Sequence, residues 1–161
     1  MKIAVAQIQS ISGNIDRNIE IHQKWIEAAA YASADFIFFS ELSLTGYETE
    51  LIKGFTFEEE DERFQVFQEL SNSHKIAIAI GAPIKTDFGI YIGMLFFQPN
   101  KSKELYFKQQ LHADELPYFI EGNKELLLTI ERETISPAIC YESMHESHIQ
   151  KACVDVFIRI Q

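Results

Sequence analysis

The chain has only two cysteines, Cys140 and Cys153, too few for a disulfide framework to carry its stability. Four prolines and seven glycines in 161 residues argue against long disordered stretches. The opening run Met1-Lys2-Ile3-Ala4-Val5-Ala6-Gln7 turns polar too soon for a secretory signal. No apolar run reaches the roughly 20 residues that a bilayer-crossing helix needs. Positive charge is scarce as well: 14 Lys and Arg stand against 24 Asp and Glu, for a formal net charge of −10. Such a surface repels phosphate backbones, and no Lys/Arg cluster overrides the average. Neither nucleic acid nor membrane is an expected partner, and the expectation is a reduced, cytoplasmic protein.

Apolar residues make up 47% of the chain and charged residues 24%, an ordinary globular mixture, and thirteen Phe point to a core of large side chains. One domain over residues 1–161 is expected. Ile3 to Gln9 reads as a strand. Ile15, Ile19, His22, Ile26 and Ala29 then recur at helical spacing to about Ser33, with Asn14 or Asp16 able to cap the start. Phe36-Ile37-Phe38-Phe39 reads as a short strand buried on both faces. A second helix is expected from about Phe57 to His74, its first turn holding the acidic run Glu58 to Glu62. Ile76 to Ile80 follows as a strand stopped by Gly81 and Pro83. This alternation implies parallel strands with helices outside.

After Pro83 the pattern changes to hairpins. Gly89 to Gln98 and Glu104 to Lys108 flank a turn at Pro99 to Ser102, and Glu125 to Ile130 and Thr134 to Cys140 flank another at Glu131 to Glu133. Between them, Gln109 to Asn123 has no clear period and reads as a functional loop. Glu142 to Lys151 could form a short helix and Val154 to Ile160 a last strand.

Three chemically active residues fall at strand ends: Glu41 just past Phe36–Phe39, Lys108 closing Glu104–Lys108, and Cys140 closing Thr134–Ile139. In α/β folds active sites assemble at the carboxyl ends of strands. A thiol, a carboxylate and an ammonium suit acyl transfer, as nucleophile, proton carrier and oxyanion partner. The backbone N–H of Tyr141 could assist the ammonium. Taken singly each is a weak signal, since a free cysteine is usually a small buried hydrophobe and a strand-end Lys or Glu a solvated terminus.

The surrounding segments add weight. Phe39-Ser40-Glu41-Leu42-Ser43-Leu44-Thr45-Gly46-Tyr47, Tyr106-Phe107-Lys108-Gln109-Gln110-Leu111 and Ile139-Cys140-Tyr141-Glu142 resemble, in order, the glutamate, lysine and cysteine segments of the nitrilase superfamily. Lys2 to Ile8, Gly13-Asn14, Asn18, Gly81-Ala82-Pro83 and Gly122-Asn123 are similar to further segments of that family. The resemblance implies a four-layer α-β-β-α sandwich that hydrolyses amide or carbamoyl groups, less readily nitriles, with no metal or organic cofactor. It implies Glu41, Lys108 and Cys140 as catalytic trio, a thioester intermediate, and a pairing of copies through the helix layer. A second glutamate is common in the family's loop after the lysine, and Glu115 fits it better than Asp114 or Glu121. Tyr47, Tyr118 and Phe119 could line the substrate pocket or equally belong to the core.

Departures are mild near the trio. Ser40 replaces a usual proline, Ile92-Gly93 an Asn-containing segment, and Tyr141 to Met144 a run with Asp and Arg. The larger departure is length, because family domains continue well past the segment like Val154–Ile160. The C-terminal part is therefore expected to be missing, and the 161-residue chain alone to be poorly active. Two rival readings are a non-catalytic interaction module on this fold and an acyl transferase that uses an amine instead of water. Glu142, His145 and His148 are spaced by three, but such spacing spreads them over a broad arc and the His-Glu-x-x-His zinc pattern is absent. No metal site is expected, and Cys153 is expected in the core.

Overall fold

The computed structural model describes residues 1–146, 148 and 156–160, with residues 50, 51 and 156–160 described by backbone alone. Five strands form one sheet in the order β1 (Ile3–Ala6), β2 (Phe36–Phe39), β3 (Ala77–Lys85), β4 (Ile90–Phe97) and β5 (Glu104–Phe107). β1, β2 and β3 run parallel, and β4 and β5 return antiparallel as the hairpin that the turn residues predict. A second sheet holds β6 (Leu128–Ile130), β7 (Glu133–Ile139) and β8 (Val156–Ile160). β6 and β7 form the second hairpin, with Glu131 at φ 56° in its turn, and β8 lies parallel to β7.

Helices α1 (Ile15–Tyr31) and α2 (Gln65–His74) cover one face of the larger sheet. The Asn14 side chain caps α1 by accepting from Arg17 N at 3.2 Å, and Asn18, His22, Ile26 and Ala29 form its buried stripe. On β2, Ile37 and Phe39 face these helices, whereas Phe36 and Phe38 face the second sheet. β3 alternates likewise, with Ile78 and Ile80 on one side and Ala77 and Ala79 on the other. Two apolar layers therefore sandwich the five-stranded sheet, and one of them is shared with Leu128, Ile130, Ile135 and Ile139 of the smaller sheet. Three of the four expected layers are thus described. No helix of the described residues is long and apolar enough to cross a membrane.

Two expectations are corrected. The second helix begins at Gln65 rather than Phe57. Phe57 is extended instead: its N–H donates to Pro83 O at 2.9 Å, and its carbonyl accepts from Lys85 N at 2.8 Å. The acidic run that follows makes exposed turns, and Asp61 caps a 3-10 turn at Glu62–Phe64 by accepting from Arg63 N at 3.0 Å. The strand expected to stop at Gly81 and Pro83 runs through both to Lys85. Pro83 faces Ile92, whose carbonyl accepts from Lys108 N, while the Pro83 carbonyl accepts from Phe57 N. The two residues thus turn their backbone groups away from each other, so the missing N–H of Pro83 takes nothing from the ladder.

Smaller differences concern ends. β6 begins at Leu128, not Glu125. After β7 the chain makes a 3-10 turn at Cys140–Met144, which takes up the start of the helix expected over 142–151; residues 147 and 149–151 of that stretch lie outside the described residues, as does Cys153.

Candidate active site

Glu41 sits in a tight turn after β2. Leu42 takes φ 52°, Ser43 N donates to Ser40 O at 3.2 Å, and both Thr45 N and Gly46 N donate to Leu42 O. This turn lies directly on β3, and Gly81 makes the approach possible. A Cβ at Gly81 would stand 2.5 Å from Leu42 N and 2.6 Å from Ser40 O. Leu44 N also donates to Gly81 O at 3.1 Å. Behind the turn, the buried His22 ring pairs Nε2 with Ser43 Oγ at 2.9 Å and Nδ1 with Asn18 O at 2.6 Å. Burial pushes the His22 pKa down to about 4, so the ring is neutral at neutral pH, with its bond to the Asn18 carbonyl pulling the other way.

Lys108 follows β5 and is fully buried. Its N–H donates to Ile92 O at 3.0 Å and its carbonyl accepts from Gly122 N at 2.7 Å. Gly122 presses against β5 so closely that a Cβ would lie 2.4 Å from Phe107 O. Cys140 follows β7 directly with φ 47°, a left-handed conformation that costs a non-glycine residue about 1–3 kcal/mol. It opens the 3-10 turn, and its carbonyl accepts from Ser143 Oγ at 2.7 Å.

These ends converge. The Lys108 ammonium lies 2.7 Å from Glu41 Oε1 and 2.7 and 2.9 Å from the two oxygens of Glu115. The carboxylates are nearly closed off, at 6% and 1% side-chain exposure. Glu115 also accepts from the Tyr47 hydroxyl at 2.9 Å and from His112 N at 2.7 Å. Cys140 is half-buried, close enough to Glu41 and Lys108 for both of their charges to act on its thiol.

The charges compete. Burial pushes Glu41 up to about 7; Lys108 opposes this, and the Glu115 carboxylate reinforces it. Burial pulls Lys108 down, but Glu41 and Glu115 outweigh it and leave the ammonium above its ordinary value. The Cys140 thiol is raised by burial and by the Glu41 charge, against the pull of Lys108. A thiol of this kind stays protonated at neutral pH until a base takes its proton. Glu41, titrating near neutrality, can be that base.

Other expected residues fall into place unequally. Tyr47 is 49% exposed with its hydroxyl turned inward, and Tyr118 is partly buried against the core. Phe119 is 3% exposed within the layer between the sheets, so it packs as core and does not wall an open pocket. The Tyr141 ring stands edge-on between His112 and His145. Its N–H belongs to the first amides of a helical turn, which have no partner inside that turn. Asp114 is exposed and pairs with His112 at 2.6 Å.

Glu142, His145 and His148 do not converge. His145 meets the Tyr141 ring edge-on, His148 Nε2 meets Pro137 O at 3.1 Å, and among the described residues no cluster of three metal-ligating side chains occurs. Glu142 is instead fully buried, accepting from Tyr106 Oη at 2.8 Å, from Ile139 N at 2.7 Å and from Gln109 N. Sequence reasoning overlooked that role; an acid at the third position of a turn is the capping-box signal that marks it.

Residues 2–149 match the family model of carbon–nitrogen hydrolases. Over 157 residues the chain is 24% identical to a glutamine-dependent NAD(+) synthetase of Aquifex aeolicus, covering 94% of this chain and 27% of that protein. Among solved structures it resembles the glutamine-dependent NAD+ synthetase from Acinetobacter baumannii at a TM-score of 0.83 and 23% identity, covering 98% of this chain and 31% of that one. It also matches a cysteine-to-alanine mutant of the amidase from Nesterenkonia sp. AN1 in complex with butyramide. There the TM-score is 0.83 at 17% identity, covering 94% of this chain and 60% of that one. The chain thus spans less than two thirds of each of these relatives, and the structural matches establish the shared fold.

Proposed function

The chain belongs to the carbon–nitrogen hydrolase family, and from that premise we propose that it is a thiol hydrolase of amide or carbamoyl groups, with Glu41, Lys108 and Cys140 as its catalytic trio. The observation that carries the reading is the burial of one ammonium between two carboxylates, Glu41 and Glu115, at the strand ends where the Cys140 thiol also sits.

In this mechanism Glu41 takes the Cys140 proton, and the thiolate attacks the amide carbon. The oxygen that gains charge is met by the Lys108 ammonium and the Tyr141 backbone N–H. The tetrahedral intermediate collapses to a thioester as Glu41 returns the proton to the departing amine. Glu41 then deprotonates a water molecule that attacks the thioester, releasing the acid and restoring the thiol. A carboxyl titrating near 7 suits both directions of transfer. Glu115 holds Lys108 and, through the Tyr47 hydroxyl, braces the loop beside Glu41. Amides are favoured over nitriles because the named relatives include an amidase and glutamine-dependent synthetases.

The test uses butyramide and other short primary amides with the full chain. Ammonia release is followed together with the mass of an acyl adduct on Cys140. Both are expected in the wild type and absent in Cys140→Ala. Ammonia release that survives Cys140→Ala, or labelling of Cys140 by iodoacetamide no faster than that of Cys153, would sink the proposal.

A further inference from the structure

Lys108 and Cys140 belong to different sheets, yet their chemistry needs a fixed separation. Glu142 touches both attachments. Its Oε1 accepts from the N–H of Gln109, the peptide that follows Lys108, and from the Tyr106 hydroxyl two residues before Lys108. Its Oε2 accepts from Ile139 N, in the residue before Cys140. With Ile92 O and Gly122 N already on the Lys108 backbone, the Glu142 bond fixes the remaining side of that residue. All three donors are neutral, and the carboxylate is fully buried, so the arrangement is costly to disturb.

We propose that Glu142 is a positioning residue whose carboxylate clamps the end of β5 to the end of β7, and so sets Lys108 and Glu41 against the Cys140 thiol. This rests on the catalytic reading of the trio, but it can be measured without turnover.

The experiment follows iodoacetamide labelling of the full chain across pH, with peptide mass spectrometry to separate Cys140 from Cys153. In Glu142→Gln the side-chain NH2 must face one of the three donors, so one end of the clamp opens. Cys140 labelling is expected to slow by about tenfold or more and to change its pH profile, with Cys153 unaffected. A merely structural loss would loosen the fold and speed labelling at both thiols. If Glu142→Gln fails to fold, Tyr106→Phe decides, because it removes one donor and leaves the carboxylate; a slowing of about threefold is expected. An unchanged Cys140 rate and pH profile in the folded variant overturns the inference. A wild-type Cys140 no more reactive than Cys153 overturns the catalytic reading itself, and is visible before any variant is made.

Discussion

Lys108 grips both oxygens of Glu115, at 2.7 and 2.9 Å, in a site where it also serves Glu41. One cation thus stands between two acids, and the Glu115 charge raises the proton affinity of Glu41.

Replacing Glu115 therefore reaches beyond its own contacts. Its charge raises both Glu41 and Lys108, so Glu115→Gln should lower both. The acid limb of the rate profile is expected to move below 7, with kcat falling by about ten- to a hundredfold as Lys108 loses its anchor. Steady-state kinetics across pH would check this, and an unmoved limb would remove Glu115 from the electrostatic account.

In the wild type, kcat/KM should rise with pH, reach half its plateau near 7 and level off above it, because the proposed mechanism needs Glu41 ionised to accept the thiol proton. Glu41→Gln is expected to lose the limb and most of the rate. A limb set by the thiol instead would appear well above 7 and would survive that substitution.

Stability should reveal two opposed titrations. Glu41 is raised from 4.5 to about 7, so the folded state binds more protons than the unfolded chain in that window, and stability falls as pH rises through it. His22 is lowered from 6.5 to about 4, so there the unfolded chain binds more protons, and stability rises with pH. The two slopes oppose each other between 4.5 and 6.5. Thermal melts should show Glu41→Gln gaining relative stability with rising pH, and His22→Gln losing it. Parallel melting profiles for both variants and the wild type would contradict the assignment.

Gly81→Ala tests the seating of the Glu41 turn. The added methyl would meet Leu42 N and Ser40 O, both backbone atoms that cannot swing aside. A loss of about 1–3 kcal/mol in urea unfolding is expected, with slower Cys140 labelling in the folded fraction. Unchanged stability would mean that the turn can lift from β3 freely.

Much of this architecture was legible in the chain. Alternation and helical spacing gave β1, α1, β2 and both hairpins, because those signals are local. Glu41, Lys108 and Cys140 stood out through their strand-end positions and surrounding segments. What failed was local punctuation overruled by distant partners. Gly81 is open to the Glu41 turn, and Pro83 turns its nitrogen away from β4, so neither stops its strand. Phe57 left the helix because Pro83 and Lys85 offered it a ladder. Glu142 looked only like a ligand; capping-box spacing marks its bond to Ile139 N, but its other donors, Tyr106 and Gln109, come from a distant segment that no spacing rule predicts.

Glu41 and Lys108 follow strands of the larger sheet, and Cys140 follows a strand of the smaller one. The reach between Cys140 and Glu41 is therefore governed by the thickness of the apolar layer between the sheets, where Phe38, Met94, Ile135 and Ile139 pack. That layer acts as a spacer as well as a core. Trimming a methylene there, in a side chain with no chemistry of its own, would be felt as a change of rate before it was felt as a loss of fold.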